Sequence, residues 1–417
     1  MNPKRFTLRK EYFGGLIYDS KTATVKLLTP DEYERAKKFI YPGYTDENTR
    51  SVTPPKHIRD NVLTAPLRVF DSFTRRCNFH CPHCYFTSGA LVKEKRRTIE
   101  QTKEIIKKFY DAGTMEWRFT GGEALIMLDI FEAIAYAKSL GMNVGLYSNG
   151  WWADSIAKKV FASGVDEIVL SLEGTPDVND KRRRKGGFNQ VLETIQRIAA
   201  FNKDNPDKRI HGVIASAIGR DNVRDVPFLA HLAAKYAFDI NFMPLKPAGR
   251  ARYMLSGEMM NSKEYLKFAE LVQDERDDPE VKKSGIKIIL KYKDLFCEAY
   301  EDKSDKQFPF NYAECGALTK YISMMPDGQV FSCPFILDVD PTGKYLGPNM
   351  ITTSVEDAWN NPNFEAYRAA DKIGCTDCRF YMKQCRGKCR ATVLGFGGKI
   401  EGGKLVGDDP QCFAPLL

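Results

Sequence analysis

With 417 residues, 43% of them hydrophobic and 28% charged, the sequence has the make-up of a soluble globular protein of two or three domains. No apolar run approaches the roughly 18 residues that span a bilayer, and the N-terminal MNPKRFTLRKEY lacks the apolar stretch of a secretory signal. A cytoplasmic protein without a membrane partner is therefore expected. The net charge of +8 is spread along the chain, its densest run being Lys181-Arg182-Arg183-Arg184-Lys185.

Residues 5–40 read as a hairpin and a helix: FTLRKEYFGGLIYD and TATVKLL flank an Asp19-Ser20-Lys21 turn, and Thr29-x-x-Glu32 is a capping box. Residues 41–66 are rich in Pro, Asn, Asp and Thr and read as a linker. From residue 67 strands and helices alternate. LRVFDSF is followed by a helix from Thr98 to Tyr110, with a Thr98-x-x-Gln101 box, apolar Ile99, Ile105, Ile106 and Phe109, and Gly113 as a stop. Then come MEWRFT and 127–139, NVGLY and 152–163, EIVLSL and 187–201, HGVIASAI and 224–236, and INFMPL. Six alternations predict an α/β protein with a parallel sheet and right-handed crossovers, as a partial or full barrel or an open sheet. After about residue 250 the alternation stops. A helix is expected over 262–275, and the loop-rich remainder holds eight of the eleven cysteines beyond residue 296.

Eleven cysteines in a reducing compartment point to metal or redox chemistry, and the odd count fits a disulfide framework poorly. Five histidines are too few for a His-rich site. The loop RRCNFHCPHCYF at 75–86 follows the first parallel strand, on the edge where α/β proteins collect their active sites. Its three thiols fit two metals. Zinc would need His80 or His83 beside Cys77, Cys81 and Cys84, whereas an iron–sulfur cube would keep one iron free of protein ligands. The other strand ends carry polar turns in series: Gly121-Gly122-Glu123, Ser148-Asn149-Gly150 and Ser171-Leu172-Glu173-Gly174. In order on successive strands, they describe a small-molecule site facing the cysteine loop.

Cys77-x3-Cys81-x2-Cys84 followed by Thr120-Gly121-Gly122-Glu123 resembles the radical S-adenosylmethionine (SAM) superfamily. The resemblance implies a partial (β/α)6 barrel over 66–250 and a [4Fe–4S] cluster on Cys77, Cys81 and Cys84, with SAM chelating its fourth iron. It assigns Gly121, Gly122 and Glu123 to the methionine amino group, and Ser148, Asn149 and Ser171 to the ribose and carboxylate. Glu173 stands on the ribose side, where many relatives have Asp. Arg183, matched through Gly186-Gly187-Phe188, would pair with the SAM carboxylate. His83 takes a position that is commonly aromatic.

Cys315, Gly328 and Cys333 followed by Cys375-x2-Cys378-x6-Cys385-x3-Cys389 and Cys412 resemble the SPASM extension, with one more residue than usual before Cys385. That resemblance places Cys297, Cys315, Cys333 and Cys389 on auxiliary cluster I, and Cys375, Cys378, Cys385 and Cys412 on cluster II. Three [4Fe–4S] clusters would then use all eleven cysteines. The domains expected are 1–65, an abbreviated leader-peptide element; 66–250, the barrel; 251–300, a bridge; and 301–417, the SPASM domain.

The chemistry implied is that of a ribosomal-peptide maturase. SAM is cleaved to a 5′-deoxyadenosyl radical, and a precursor peptide is oxidised, as in thioether or carbon–carbon crosslinking. Implied partners are the precursor peptide, a separate leader-binding protein and an electron donor such as flavodoxin or ferredoxin. Formylglycine-type sulfatase maturation is the alternative within this architecture. A zinc-dependent nucleic-acid-binding protein is the alternative outside it, but aromatic and basic residues are little interleaved, so no nucleic acid is expected.

Overall fold

The computed structural model describes residues 3–39, 43–60, 62–291, 316–340, 343–369, 375, 378–379, 387–401 and 404–417. The N-terminal segment is a four-stranded sheet. Strands β1 (Phe6–Glu11), β2 (Gly14–Asp19), β3 (Thr24–Leu28) and β4 (Thr49–Ser51) lie in the order β3-β2-β1-β4. The run read as one arm of a hairpin is thus two strands, broken at Tyr12-Phe13, and the expected linker supplies β4, parallel to β1. The helix Pro30–Lys37 packs on this sheet, with both halves of the Thr29/Glu32 capping box formed. A buried Arg9–Glu11 pair fastens the sheet to the barrel: Arg9 donates to Gly113 O at 2.8 Å and Glu11 accepts from Thr64 N at 2.9 Å.

The six expected crossover strands are present as β5 (Arg68–Thr74), β6 (Glu116–Gly121), β7 (Asn143–Ser148), β8 (Glu167–Ser171), β9 (His211–Ile218) and β10 (Asp239–Pro244). They are parallel and in sequential order, as right-handed strand–helix units require. Trp117, Phe119, Val144, Leu146, Ile168 and Leu170 point outward from them under the helices and are buried, forming the core. The helix Ile99–Asp111 lays Ile105, Ile106 and Phe109 on that surface, and its Thr98/Gln101 capping box is made.

The sheet runs on past these six. On one edge β11 (Ile288–Leu290) pairs with β10, and on the other β12 (Tyr321–Met324) pairs in parallel with β5. Antiparallel β13 (Gln329–Phe331) and β14 (Leu346–Asn349) complete ten strands. The segment after residue 316 is therefore built onto the first barrel strand. Arg97 reinforces the join: it forms a buried ion pair with Asp71, donates to Met325 O and Pro326 O at 3.0 and 3.1 Å, and lies beside Trp117, whose indole donates to Asp71 at 3.1 Å. No helix among the described residues is long and apolar enough to cross a membrane.

Candidate active site

The loop after β5 folds back on itself. Glu94 accepts from Thr74 and from Arg75 N, Cys77 N donates to Gly89 O at 3.2 Å, and Arg250, beyond β10, donates to Cys81 O and Ser88 O at 2.8 Å each. Sequence reading passed over Arg250; the only signal was its place just after a strand end. The clamp holds Cys77, Cys81 and Cys84 at the mouth of the barrel, where they line a cavity of about 500 Å³. Backbone N–H groups of Phe79 and Ser88 reach the sulfurs of Cys77 and Cys84 at 3.4 Å each. Such bonds stabilise a thiolate ligand, but burial, with repulsion from Glu123 and Cys81, outweighs the Phe79 N–H and pushes the Cys77 thiol up to about 12. Among the described residues no three His, Cys, Asp or Glu groups converge on a single-ion site. His83, the residue weighed as a fourth zinc ligand, turns Nε2 to Glu173 at 3.2 Å.

The glycines after β6 are required by close backbone approach. A Cβ on Gly122 would lie 2.1 Å from Arg76 O, and Gly121 has φ +122° with its Cβ position 2.3 Å from Thr74 O. This contact brings Glu123 under the cysteine loop. Its carboxylate, 2% exposed, accepts from Ser148 Oγ at 3.0 Å, Asn149 N at 2.7 Å and Leu125 N at 3.4 Å. Burial raises Glu123, and these donors oppose the rise. Ser148 Oγ also accepts from Gly150 N and Trp152 Nε1, so its hydroxyl is committed to shaping the turn. Asn149 Nδ2 donates to Asn78 Oδ1 at 2.7 Å and sits 4.0 Å from Cys77 Sγ. The Gly-Gly-Glu turn and the Ser148-Asn149 turn are therefore one hydrogen-bonded unit.

Ser171 lines the opposite wall with Glu173 and Arg183. Glu173 accepts from Arg183 Nη1 and Ala217 N at 2.8 Å each. Burial pushes its carboxyl up, but His83 and Arg183 more than reverse this and hold it at about 2. The basic run divides by direction. Arg182 turns to Asp221, and Arg184 lies over Trp151 at 4.5 Å. Arg183 alone of these three lines the cavity, with its buried Nε unpartnered. An anion in the cavity would satisfy that orphaned donor.

At the C-terminal end, Cys375 is raised first by burial and then by Cys412, with Cys378 a further contributor, so these three thiols are neighbours. Cys333 is buried in the main core, against which Cys389 packs. Cys297, Cys315 and Cys385 lie outside the described residues. Lys246 donates to Thr392 and Gln411 at 2.9 and 3.0 Å and ties this region to β10.

Residues 72–225 match the model of the radical SAM superfamily, and 315–389 match that of SPASM, an iron–sulfur cluster-binding domain. The mycofactocin maturase MftC of Mycolicibacterium smegmatis is 26% identical over 360 residues, covering 84% of this chain and 83% of that protein. SuiB of Streptococcus suis, solved with S-adenosylmethionine, superposes with a TM-score of 0.73 at 16% identity, over 99% of this chain and 100% of that one. SuiB bound to the precursor peptide SuiA gives the same score over 98% and 99%. The AdoMet-bound anSMEcpe gives 0.64 at 18% identity, over 84% and 95%. At these identities the structural likeness is one of fold.

Proposed function

This chain is a radical SAM enzyme with a C-terminal SPASM iron–sulfur domain, and we propose that it modifies a ribosomally made precursor peptide by radical chemistry in its barrel. The observation that carries the reading is one cavity lined by Cys77, Cys81 and Cys84, the Gly121-Gly122 turn and the unpaired edge of Arg183. When bound, a [4Fe–4S] cluster with SAM supplies the electron and the 5′-deoxyadenosyl radical that takes a hydrogen atom from substrate. Cys77, Cys81 and Cys84 would hold that cluster. The backbone of Gly121 and Gly122, braced by Glu123 and Ser148, would receive the methionine amino end. Arg183 would bind the carboxylate, and Asn149, Ser171 and Glu173 would line the ribose side. Cys333 and Cys389, with Cys297 and Cys315, are our assignment for auxiliary cluster I; Cys375, Cys378 and Cys412, with Cys385, are that for cluster II. Two auxiliary clusters favour a net oxidation, and the first electron would come from a flavodoxin- or ferredoxin-type donor.

The peptide reading draws on the likeness to SuiB, solved with its precursor peptide, which extends through the N-terminal sheet. The likeness to anSMEcpe covers 84% of the chain, and no observation favours sulfatase maturation. The exposed outer strand β3 offers an edge to which a leader peptide adds as a strand, alone or with a separate leader-binding protein. Lys26→Asp in the middle of that edge is expected to weaken an acidic leader about fivefold, read by fluorescence polarisation.

Anaerobically reconstituted protein should be brown and carry about twelve irons if all three clusters form. It should release 5′-deoxyadenosine under dithionite. A colourless, zinc-loaded protein that leaves SAM intact overturns the reading. Arg183→Met should raise the SAM dissociation constant about tenfold or more in equilibrium dialysis, since it removes a buried charge-assisted partner.

A further inference from the structure

The three cysteines come close to the protein surface on one side, and that side carries an uncovered apolar tip among unpaired cations. Cys77 N donates to Gly89 O at 3.2 Å, and the chain leaves this contact as Ala90-Leu91-Val92. Two residues of chain reach at most ~7 Å, which keeps Leu91 near that bond. Leu91 is 93% exposed, the most open large apolar side chain among the described residues. Beside it, the turn after Glu123 leaves Ile126 and Leu128 exposed, at 38% and 58%, and Met127 shares a groove with Leu91, Val92 and Arg76. Arg96 pairs with Asp129 and so ties the two loops together.

The charge around this tip is one-sided. Arg76, Lys93 and Lys95 are exposed, and among the described residues none of them meets a carboxylate. Arg184 adds a fourth cation to the cysteine loop, where it donates to Asn78 O at 3.3 Å. The carboxylates of the two loops are already engaged: Glu94 by Thr74 and Arg75 N, Glu123 by Ser148 and Asn149 N, and Asp129 by Arg96. A single exposed leucine is ordinary. Three apolar side chains within a rim of cations have the make-up of a protein interface, and the excess of one sign selects an acidic partner.

We propose that this face receives the protein that delivers the first electron, an acidic, low-potential one-electron carrier of the flavodoxin class. The inference rests on the radical reading above and adds the place where its donor docks. The carrier is oxidised by one electron and the cluster on Cys77, Cys81 and Cys84 is reduced by one, with no atom transferred. Electron transfer slows steeply with distance, so the carrier must meet the chain where the cysteine loop reaches the surface. Arg76 precedes Cys77 directly, and Leu91 follows the Gly89 bond. A transient redox encounter needs only a small interface, below about 1,200 Å². The groove at Leu91 shares no lining residue with the cavity assigned to SAM, so a docked carrier leaves that cavity open.

The test measures binding apart from turnover. Oxidised flavodoxin, an acidic FMN protein, is titrated into holoenzyme by calorimetry at low salt. Lys93→Glu with Lys95→Glu, and separately Leu91→Asp, should each weaken binding about tenfold, and added salt should weaken wild-type binding. With reduced flavodoxin as donor, 5′-deoxyadenosine release by both variants should fall in step, while release under excess dithionite stays at the wild-type rate. Lys263→Glu with Lys267→Glu, on the helix Ser262–Asp277, makes the same change in net charge elsewhere and should leave both readouts unchanged. Absence of flavodoxin binding to wild type, variants that bind as wild type does, or an equal loss in the Lys263/Lys267 variant overturns the proposal. So does a wild-type dimer that Leu91→Asp dissociates, since a second copy would then cover the face. Wild type that cleaves no SAM under dithionite instead overturns the radical reading, and the binding comparison still decides the docking face.

Discussion

Cys77→Ala is expected to abolish SAM cleavage, with at least about a thousandfold loss, equivalent to ~4 kcal/mol of barrier. The reason is geometric as well as chemical. Cys77 follows Arg76, whose carbonyl accepts from Glu123 N at 2.9 Å, and its sulfur takes an N–H from Phe79. The thiol therefore sits where the cysteine loop and the Gly-Gly-Glu turn meet. In our reading its removal takes away a cluster ligand, and the Asn149 amide loses the sulfur 4.0 Å from it while keeping its bond to Asn78 Oδ1. The iron content should fall by about four atoms per chain if one cluster is lost. Cys375→Ala should also lose about four irons, but measurable 5′-deoxyadenosine should persist while peptide product falls. Assaying both variants by 5′-deoxyadenosine release and iron count checks the division of labour. Equal loss of SAM cleavage in the two would merge roles that are separate in our reading.

Asp71→Ala should produce the largest loss of stability, about 3–5 kcal/mol, because it strands Arg97 in the core. Both side chains are buried, at 0% and 1% exposure, so water cannot replace the lost partner. The damage should extend beyond the barrel. The same guanidinium holds Met325 and Pro326, and so fixes the β12–β13 turn against the loop that follows the cysteines. A lower urea midpoint, together with faster hydrogen exchange at residues 321–331 on β12 and β13, would report both effects. A midpoint change below about 1 kcal/mol would mean that the pair is replaceable.

The parts of this protein legible in its sequence are those whose physics is local. Helix starts were readable because a capping box spans four residues, as at Thr29 and Thr98. The six crossover strands were readable from alternation with helices. The short strands β4, β11 and β12 were not, because three or four residues carry too little pattern. They are strands because β1, β10 and β5 offer them open edges. The cysteine loop and the Gly-Gly-Glu turn were legible for a similar reason: ligand spacing and close backbone approach leave their mark within a few residues.

Charge partnership was not legible. Lys181–Lys185 reads as one basic run, yet Arg182, Arg183 and Arg184 face a surface-loop aspartate, the cavity and a tryptophan. Glu173, expected on the ribose side, does line the cavity, but its pairing with Arg183, His83 and Ala217 N is set by strands and loops far apart in the chain. By itself the sequence pointed to S-adenosylmethionine and iron–sulfur chemistry through its resemblance to the radical SAM and SPASM families, because the motifs that carry the resemblance are local. Only the tertiary structure decided which charges are answered and which stay open. Burial and pairing arise between strands far apart in the chain, and the orphaned Nε of Arg183 exists only once the barrel has formed around it.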